Sequence, residues 1–246
     1  MAPKFEGCTA LITGAGGSVG RAIALALAAE GARTALAGRR RDALDRVARE
    51  AAECGPEPRC FEVDLGSDGD IEKLRSGMDG LDVLVHSAGV LSIGSVECTG
   101  VDLLDEQYTV NLRAPYALTR AFLPSLKRSR GQVVFINSSL GLGAKAQLAH
   151  YAASKHGLKA LADGLRQEVN GDGIRVLSVF LGRTAGDMQR GVHAREGRVY
   201  EEDRLIQPGD VASVVLAALA LSRTAEVTDV SIRPMAAPIQ LEGVRT

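Results

Sequence analysis

The sequence predicts an α/β fold of three layers, with helices on both faces of a doubly wound, seven-stranded parallel sheet, and two observations predict it. Short apolar runs ending at glycine or small polar residues alternate along the chain with longer stretches of helical period, and a glycine-rich turn follows the first run at once. That is the signature of a Rossmann-type arrangement. The strand candidates are Thr9–Thr13, Thr34–Ala37, Cys60–Val63, Val83–His86, Val133–Asn137, Val176–Phe180 and Val227–Ile232. Helices are expected around Val19–Glu30, Arg41–Glu53, Asp70–Ser76, Leu103–Lys127, Tyr151–Asn170 and Gly209–Leu221, with Arg183–Gln207 the least regular stretch. No repeat, low-complexity tract or linker marks a boundary, so residues 1–246 are expected to form one dinucleotide-binding and catalytic domain.

Composition narrows the class of function. A chain of 246 residues with 46% hydrophobic content and a net charge of -1 is long enough for a sizeable core and carries no net positive field to draw nucleic acid or anionic lipid. The longest apolar run, Val211–Leu221, is interrupted by Ser213 and falls short of the roughly 20 residues a membrane span needs. The start, MAPKFEG, runs into the first strand without an apolar leader, and the expected location is cytoplasmic. Cys8, Cys54, Cys60 and Cys98 show neither CxxC spacing nor paired histidines, so reduced thiols are expected and no metal site. Small-molecule chemistry is what these numbers leave.

The first strand leads into Thr13-Gly14-Ala15-Gly16-Gly17-Ser18-Val19-Gly20 and then directly into a helix. Glycines there permit positive φ and close approach of backbone to ligand, and the free N–H groups of a helix start favour a pyrophosphate. A tight turn alone would also use glycine, but its place after the first strand of a βα series points to nucleotide binding. After the second strand the chain reads Gly38-Arg39-Arg40, without the carboxylate that bonds a ribose 2′-hydroxyl. Arginine there accepts a 2′-phosphate, so NADP(H) is the expected cofactor, with NAD(H) as the second option. The competing explanation is a solvated, arginine-rich helix start, which the helix dipole disfavours.

Two further constellations carry chemistry. Tyr151-Ala152-Ala153-Ser154-Lys155 opens a long amphipathic helix, and the spacing of four puts phenol and ammonium on one face, one turn apart. An adjacent cation is expected to depress a phenol whose free pKa is about 10. Ser138 ends the strand Val133–Asn137 at the carboxyl edge, where doubly wound folds place their ligands.

Together these residues, in this order over nearly the whole chain, resemble the classical short-chain dehydrogenase/reductase family. The resemblance implies hydride exchange between a nicotinamide and a carbonyl or secondary alcohol. It makes Ser138, rather than Ser139, the donor to the substrate oxygen, Tyr151 the residue that passes the proton, and Lys155 the group that holds the ribose and acidifies the phenol. Val110-Asn111-Leu112 resembles the segment bearing the fourth member, Asn111, which would support a water next to Lys155; a buried asparagine serving helix backbone is the alternative. The expected cofactor contacts are Gly14, Gly17, Ser18, Val19, Gly20, Arg39, Arg40, Asp64, Leu65, Ser87, Ala88, Gly89, Tyr151, Lys155, Gly182 and Thr184. Asp64 lies against adenine in similar proteins, and equally suits a turn cap.

Departures from the family pattern are local. Ser18 stands at the middle glycine, with Gly16 and Gly17 expected to take over the turn. His86-Ser87 replaces two asparagines, and His86 is read as structural. Leu181 replaces a proline and Gly186 a threonine, leaving Thr184 to serve the nicotinamide. A homodimer through the Leu103 and Tyr151 helices is implied, whereas the carboxyl end lacks the glycine-rich form of tetrameric relatives. Pocket walls are expected from 91–96, 142–150 and 188–200. Two alternatives compete: a 3-oxoacyl-carrier ketoreductase, docking an acidic carrier on Lys127, Arg128 and Arg130, and a catalytically silent NADP(H)-responsive binding protein.

Overall fold

Valine, leucine and isoleucine runs whose two faces are both apolar can only be strands covered from both sides, and that is how the chain is built. A computed structural model describes residues 3–235. Its strands are β1 (Thr9–Thr13), β2 (Arg33–Gly38), β3 (Arg59–Glu62), β4 (Val83–His86), β5 (Gln132–Ser138), β6 (Arg175–Leu181) and β7 (Asp229–Ile232). They form one sheet in the order β3-β2-β1-β4-β5-β6-β7, every pairing parallel. The helices are α1 (Ser18–Ala29), α2 (Arg41–Ala52), α3 (Asp68–Ser76), α4 (Val101–Tyr108), α5 (Ala114–Ser129), α6 (Ala149–Val169), α7 (Asp187–Arg195) and α8 (Pro208–Leu219).

The period of two along each strand divides the core. Ile12, Val85, Val134 and Val179 point to one face, under Ile23 and Leu27 of α1, Leu44 of α2 and Val211 and Val215 of α8. Their neighbours Leu11, Leu84, Val133 and Val176 point to the other, under Ile71 of α3, Leu118 and Phe122 of α5 and Leu158 of α6. Helix starts carry ordinary chemistry: Ser67 accepts from the Asp70 N–H to begin α3, and Gln207 with Asp210 makes a capping box around Pro208 at α8. No helix among the described residues is long and apolar enough to cross a membrane.

Three expectations need correction. The stretch Leu103–Lys127 is not one regular helix: α4 and α5 are joined by a π-helical turn, Thr109–Arg113, that inserts an extra residue and turns Asn111 fully inward. Hydrophobic period does not reveal it, because the apolar stripe resumes after the insertion. Arg183–Gln207 is also more regular than expected, holding α7 and a short 3₁₀ turn, Glu202–Arg204. Finally, β7 begins at Asp229, two residues later than Val227.

Phe135 is wholly buried in the middle of β5, its ring stacked on His86 with centroids 4.9 Å apart. Phe135→Ala should cost about 3 to 5 kcal/mol, the range for emptying such a core position. Denaturant titration checks this, and a loss below about 1 kcal/mol would contradict the packing described.

Candidate active site

The sheet order places β1 between β2 and β4, so chain leaving β1 and β4 departs to opposite faces and a crevice opens at their carboxyl ends. Gly14, just past β1, has φ +63°, and a Cβ there would lie 2.7 Å from Ala88 Cα and 2.8 Å from Ala88 N. No other residue type fits that contact. Thr13 locks it: its hydroxyl donates to the Val85 carbonyl (3.3 Å) and accepts from the N–H groups of Ser87 (3.1 Å) and Ala88 (3.2 Å). The turn runs through Gly16 and is closed by Gly17, with the left-handed position supplied by Gly14. Gly14 alone of the cradle glycines has positive φ, while Gly16 packs against Ala43 and Gly17 donates to the Gly14 carbonyl at 3.0 Å.

Helix α1 starts from Gly17 with no side-chain cap, and the first N–H bonded back into the helix is that of Arg21, to the Gly17 carbonyl at 2.8 Å. The N–H groups of Ser18, Val19 and Gly20 are therefore available to an anion. On the far side of β2, Arg39 and Arg40 are exposed and in no ion pair among the described residues, whereas Arg41 and Arg46 just beyond are bound to Asp45 (2.8 Å) and Asp42 (3.0 Å). Asp64 bonds the Gly66 N–H at 2.9 Å, so the turn-cap alternative holds, and it also lines the cleft beside buried Leu65.

Ser138 and Tyr151 meet at the inner end. The Ser138 hydroxyl accepts from the Leu140 N–H at 3.1 Å and shares the cleft wall with the phenol. Lys155, 4% exposed, donates to the Ile136 carbonyl at 3.2 Å and lies 5.9 Å from the centre of the Tyr151 ring. Asn137, which sequence reasoning left as an anonymous strand end, organises the corner: its Oδ1 accepts from the Ser138 N–H at 2.8 Å and its Nδ2 donates to the Lys155 carbonyl at 3.2 Å. An asparagine among the buried valines of a central strand was the available signal. Asn111 sits behind the cleft rather than in its wall. It exchanges two bonds with the Val90 backbone, both 2.9 Å, and donates to Ser154 Oγ at 3.0 Å, so it ties the chain after β4 to α6.

Burial decides the electrostatics here. Desolvation pushes the Tyr151 phenol up to about 12, with the polar Ser138 side chain pulling the other way, and desolvation brings the Lys155 ammonium down to about 8. The expected depression of the phenol by Lys155 is thus not a property of the free protein. The ammonium is spent on the Ile136 carbonyl, and the cost of a buried phenolate is the larger effect.

The third wall follows β6. Gly182 donates to the Ile232 carbonyl at 2.8 Å, and the Thr184 hydroxyl turns back onto the Gly182 carbonyl at 3.1 Å. Arg183 forks onto Glu196 at 2.8 and 2.7 Å, and the Gly186 N–H donates to the Tyr200 hydroxyl at 2.9 Å. Neither pairing was anticipated, since they join residues across a loop of no clear period. All the expected cofactor contacts, together with Ser138, line one cleft of about 650 Å³. Of the cations considered for carrier docking, Lys127 is already paired with Asp172 at 2.8 Å.

Residues 8–197 match the family model described as short chain dehydrogenase. An uncharacterized short-chain type dehydrogenase/reductase of Sinorhizobium fredii is 33% identical, over 95% of this chain and 94% of its own. A metagenomic short-chain oxidoreductase solved in complex with NADP superposes with a TM-score of 0.82 at 31% identity, covering 95% of this chain and 100% of that one. An alcohol dehydrogenase from Thermococcus sibiricus, complexed with 5-hydroxy-NADP, gives 0.84 at 25% identity, covering 95% and 99%.

His86 is buried under the cleft, its Nε2 2.9 Å from the Thr119 hydroxyl, and burial brings its pKa down to about 3. Between about pH 6.5 and that value the unfolded chain binds a proton that the folded chain refuses, so stability falls as pH is lowered through this window. At pH 5 the loss from this residue should be about 2 kcal/mol. His86→Asn should flatten the slope of unfolding free energy between pH 4 and 7; an unchanged slope would show that His86 does not titrate as described.

Proposed function

The chain belongs to the short-chain dehydrogenase/reductase family, and on that premise we propose that it is an NADP(H)-dependent oxidoreductase interconverting a carbonyl compound and a secondary alcohol, with Tyr151 as the proton donor and acceptor. One observation carries this: Ser138, Tyr151 and Lys155 line the same cleft as an uncapped helix start and two arginines that form no ion pair among the described residues.

The cleft suits the proposed cofactor. The Gly14–Ala88 contact leaves only backbone where the dinucleotide must pass closely, and the N–H groups of Ser18, Val19 and Gly20 suit its pyrophosphate. Arg39 and Arg40 would take the 2′-phosphate, Asp64 and Leu65 the adenine side, and Ser87, Ala88 and Gly89 the nearby backbone contacts. Gly182 and Thr184 flank the nicotinamide end. When bound, the nicotinamide supplies the hydride.

Within the corner, Ser138 holds the substrate oxygen by hydrogen bond, and Tyr151 gives that oxygen a proton in reduction and removes it in oxidation. A phenol raised to about 12 is neutral at physiological pH, which is the state a proton donor needs. Lys155 holds ribose hydroxyls and offsets negative charge as it develops on the phenol. Asn111 keeps α6 in register with the loop after β4, so that Tyr151 and Lys155 face the cleft.

Tyr151→Phe should lower turnover of a carbonyl panel with NADPH by at least about 1000-fold, the scale of a lost general acid, while NADPH still binds by fluorescence titration. Retained turnover would end the assignment. Arg39→Ala should weaken NADPH binding about tenfold or more, one charge-assisted bond's worth, and leave NADH binding unchanged. Equal loss for both cofactors would remove Arg39 from phosphate recognition.

A further inference from the structure

The loop between Ser138 and Tyr151 brings into the cleft one charge that the proposed chemistry leaves without a task. Lys145 lines the same wall as Ser138 and Tyr151, and its exposed ammonium makes no ion pair or hydrogen bond among the described residues. The other charges of the cleft are placed or paired. Lys155 donates to the Ile136 carbonyl, Arg183 is forked onto Glu196, and Asp64 bonds the Gly66 N–H. Arg39 and Arg40 follow β2, which β1 and β4 separate from β5 and its Ser138. Asp187 lies at the phosphate end, because it follows Gly186, where a Cβ would come within 2.8 Å of Ser18 Cβ. Among the described residues of the cleft, Lys145 is therefore the cation left to meet a ligand beside the Ser138–Tyr151 corner.

The backbone that carries Lys145 is held in place against strain. The Leu148 N–H donates back to the Lys145 carbonyl at 3.2 Å, closing a tight turn in which Gln147 has φ +65°. Glycine or asparagine usually takes such a position, so a glutamine there persists only where neighbouring contacts over-determine it. Those contacts come from the loop after β4. The Gly94 N–H donates to the Gln147 carbonyl at 2.9 Å, and His150 Nε2 donates to the Ser92 carbonyl at 3.0 Å. What this bracing fixes is the point from which the Lys145 side chain extends. Around it the wall is apolar, with Leu140, Leu148, Met188 and Val192. In a wall of that kind the apolar surface supplies contact area and a few polar groups set the orientation of the ligand.

We propose that the substrate of this cleft is an oxo acid, or in the reverse direction a hydroxy acid, and that Lys145 selects it by its carboxylate. An ammonium reads charge rather than planar geometry, and one unpaired cation balances one negative charge, which a carboxylate carries and a phosphate dianion exceeds. The oxo oxygen sits at Ser138 and Tyr151, the carboxylate at Lys145, and the apolar wall covers the carbon chain. Reduction moves a hydride from NADPH to the carbonyl carbon and a proton from Tyr151 to its oxygen, and the carboxylate is unchanged. The proposal rests on the oxidoreductase reading above.

The test compares oxo acids of increasing separation between carbonyl and carboxylate with their methyl esters, NADPH being the reductant, in the unsubstituted protein, Lys145→Gln and Lys145→Arg. At least one acid should exceed its ester in kcat/KM by about tenfold or more, the scale of one charge-assisted contact. Lys145→Gln should raise KM for that acid by about as much, with kcat little changed, and should remove the preference over the ester. Lys145→Arg, which keeps the charge, should restore it. No preference for any acid in the unsubstituted protein, or an equal effect of Lys145→Gln on acid and ester, would overturn the proposal.

A binding measurement separates this inference from the reading beneath it. Calorimetric titration of the NADPH-saturated protein with saturated straight-chain carboxylates and with their amides should show the carboxylates binding more tightly, and Lys145→Gln should abolish the difference. That result without turnover of any carbonyl compound would remove the oxidoreductase reading and leave the carboxylate site standing. Turnover of neutral carbonyl compounds alone, with carboxylates bound no better than amides, would do the reverse.

Discussion

The approach of Gly14 to Ala88 is the constraint from which the rest of the cleft follows. Two backbone segments leaving adjacent strands in opposite directions come within van der Waals contact, and the Thr13 hydroxyl fills the polar needs of both. Because β1 and β4 are neighbours in the sheet but not in sequence, the crevice between their departing chains is open to solvent. Gly20 continues the same packing, since a Cβ on it would lie 2.4 Å from the Gly14 carbonyl oxygen. The uncapped start of α1 is aimed into the crevice by these contacts and by no side chain of its own.

Burial governs the other end. Tyr151 and Lys155 are each pushed toward the neutral form, the phenol to about 12 and the amine to about 8, so the free corner resists isolated charge. A proton moving between hydrogen-bonded groups is cheaper there than a charge left standing on one of them. The asparagines keep this corner in place without adding charge. Asn137 bonds the backbone of Ser138 and Lys155, and Asn111, turned inward by the π-helical insertion, bonds Val90 and Ser154. Their polar atoms are satisfied by partners in different elements, so strand β5, helix α6 and the loop after β4 cannot shift independently.

Much of the sheet was legible because periodicity reports burial directly: strands with two apolar faces and helices with one stripe were found nearly at their true bounds. Thr13 and Ser138 stand at strand ends that pattern could locate, whereas Tyr151 and Lys155, in the first two turns of α6, drew their weight from the family resemblance. The π-helical turn at Thr109–Arg113 was not legible, since one inserted residue changes which side chain faces inward without disturbing the composition around it. Nor was the segment after β6, where Gly186–Tyr200 and Arg183–Glu196 pair residues whose spacing follows no helical or strand period.

By itself, then, the amino-acid order determined the alternation of strand and helix, the position of the glycine turn after β1, and the one-turn spacing of Tyr151 and Lys155, because each depends on local sterics and on hydrophobic period. The tertiary structure alone decided which glycine takes positive φ and whether the phenol at 151 is more or less acidic than in water. Those are set by distance through space: Ala88 lies against Gly14 although 74 residues separate Ser87 from the Thr13 hydroxyl that holds it. The acidity of a buried group, likewise, follows from how completely the folded chain excludes water around it.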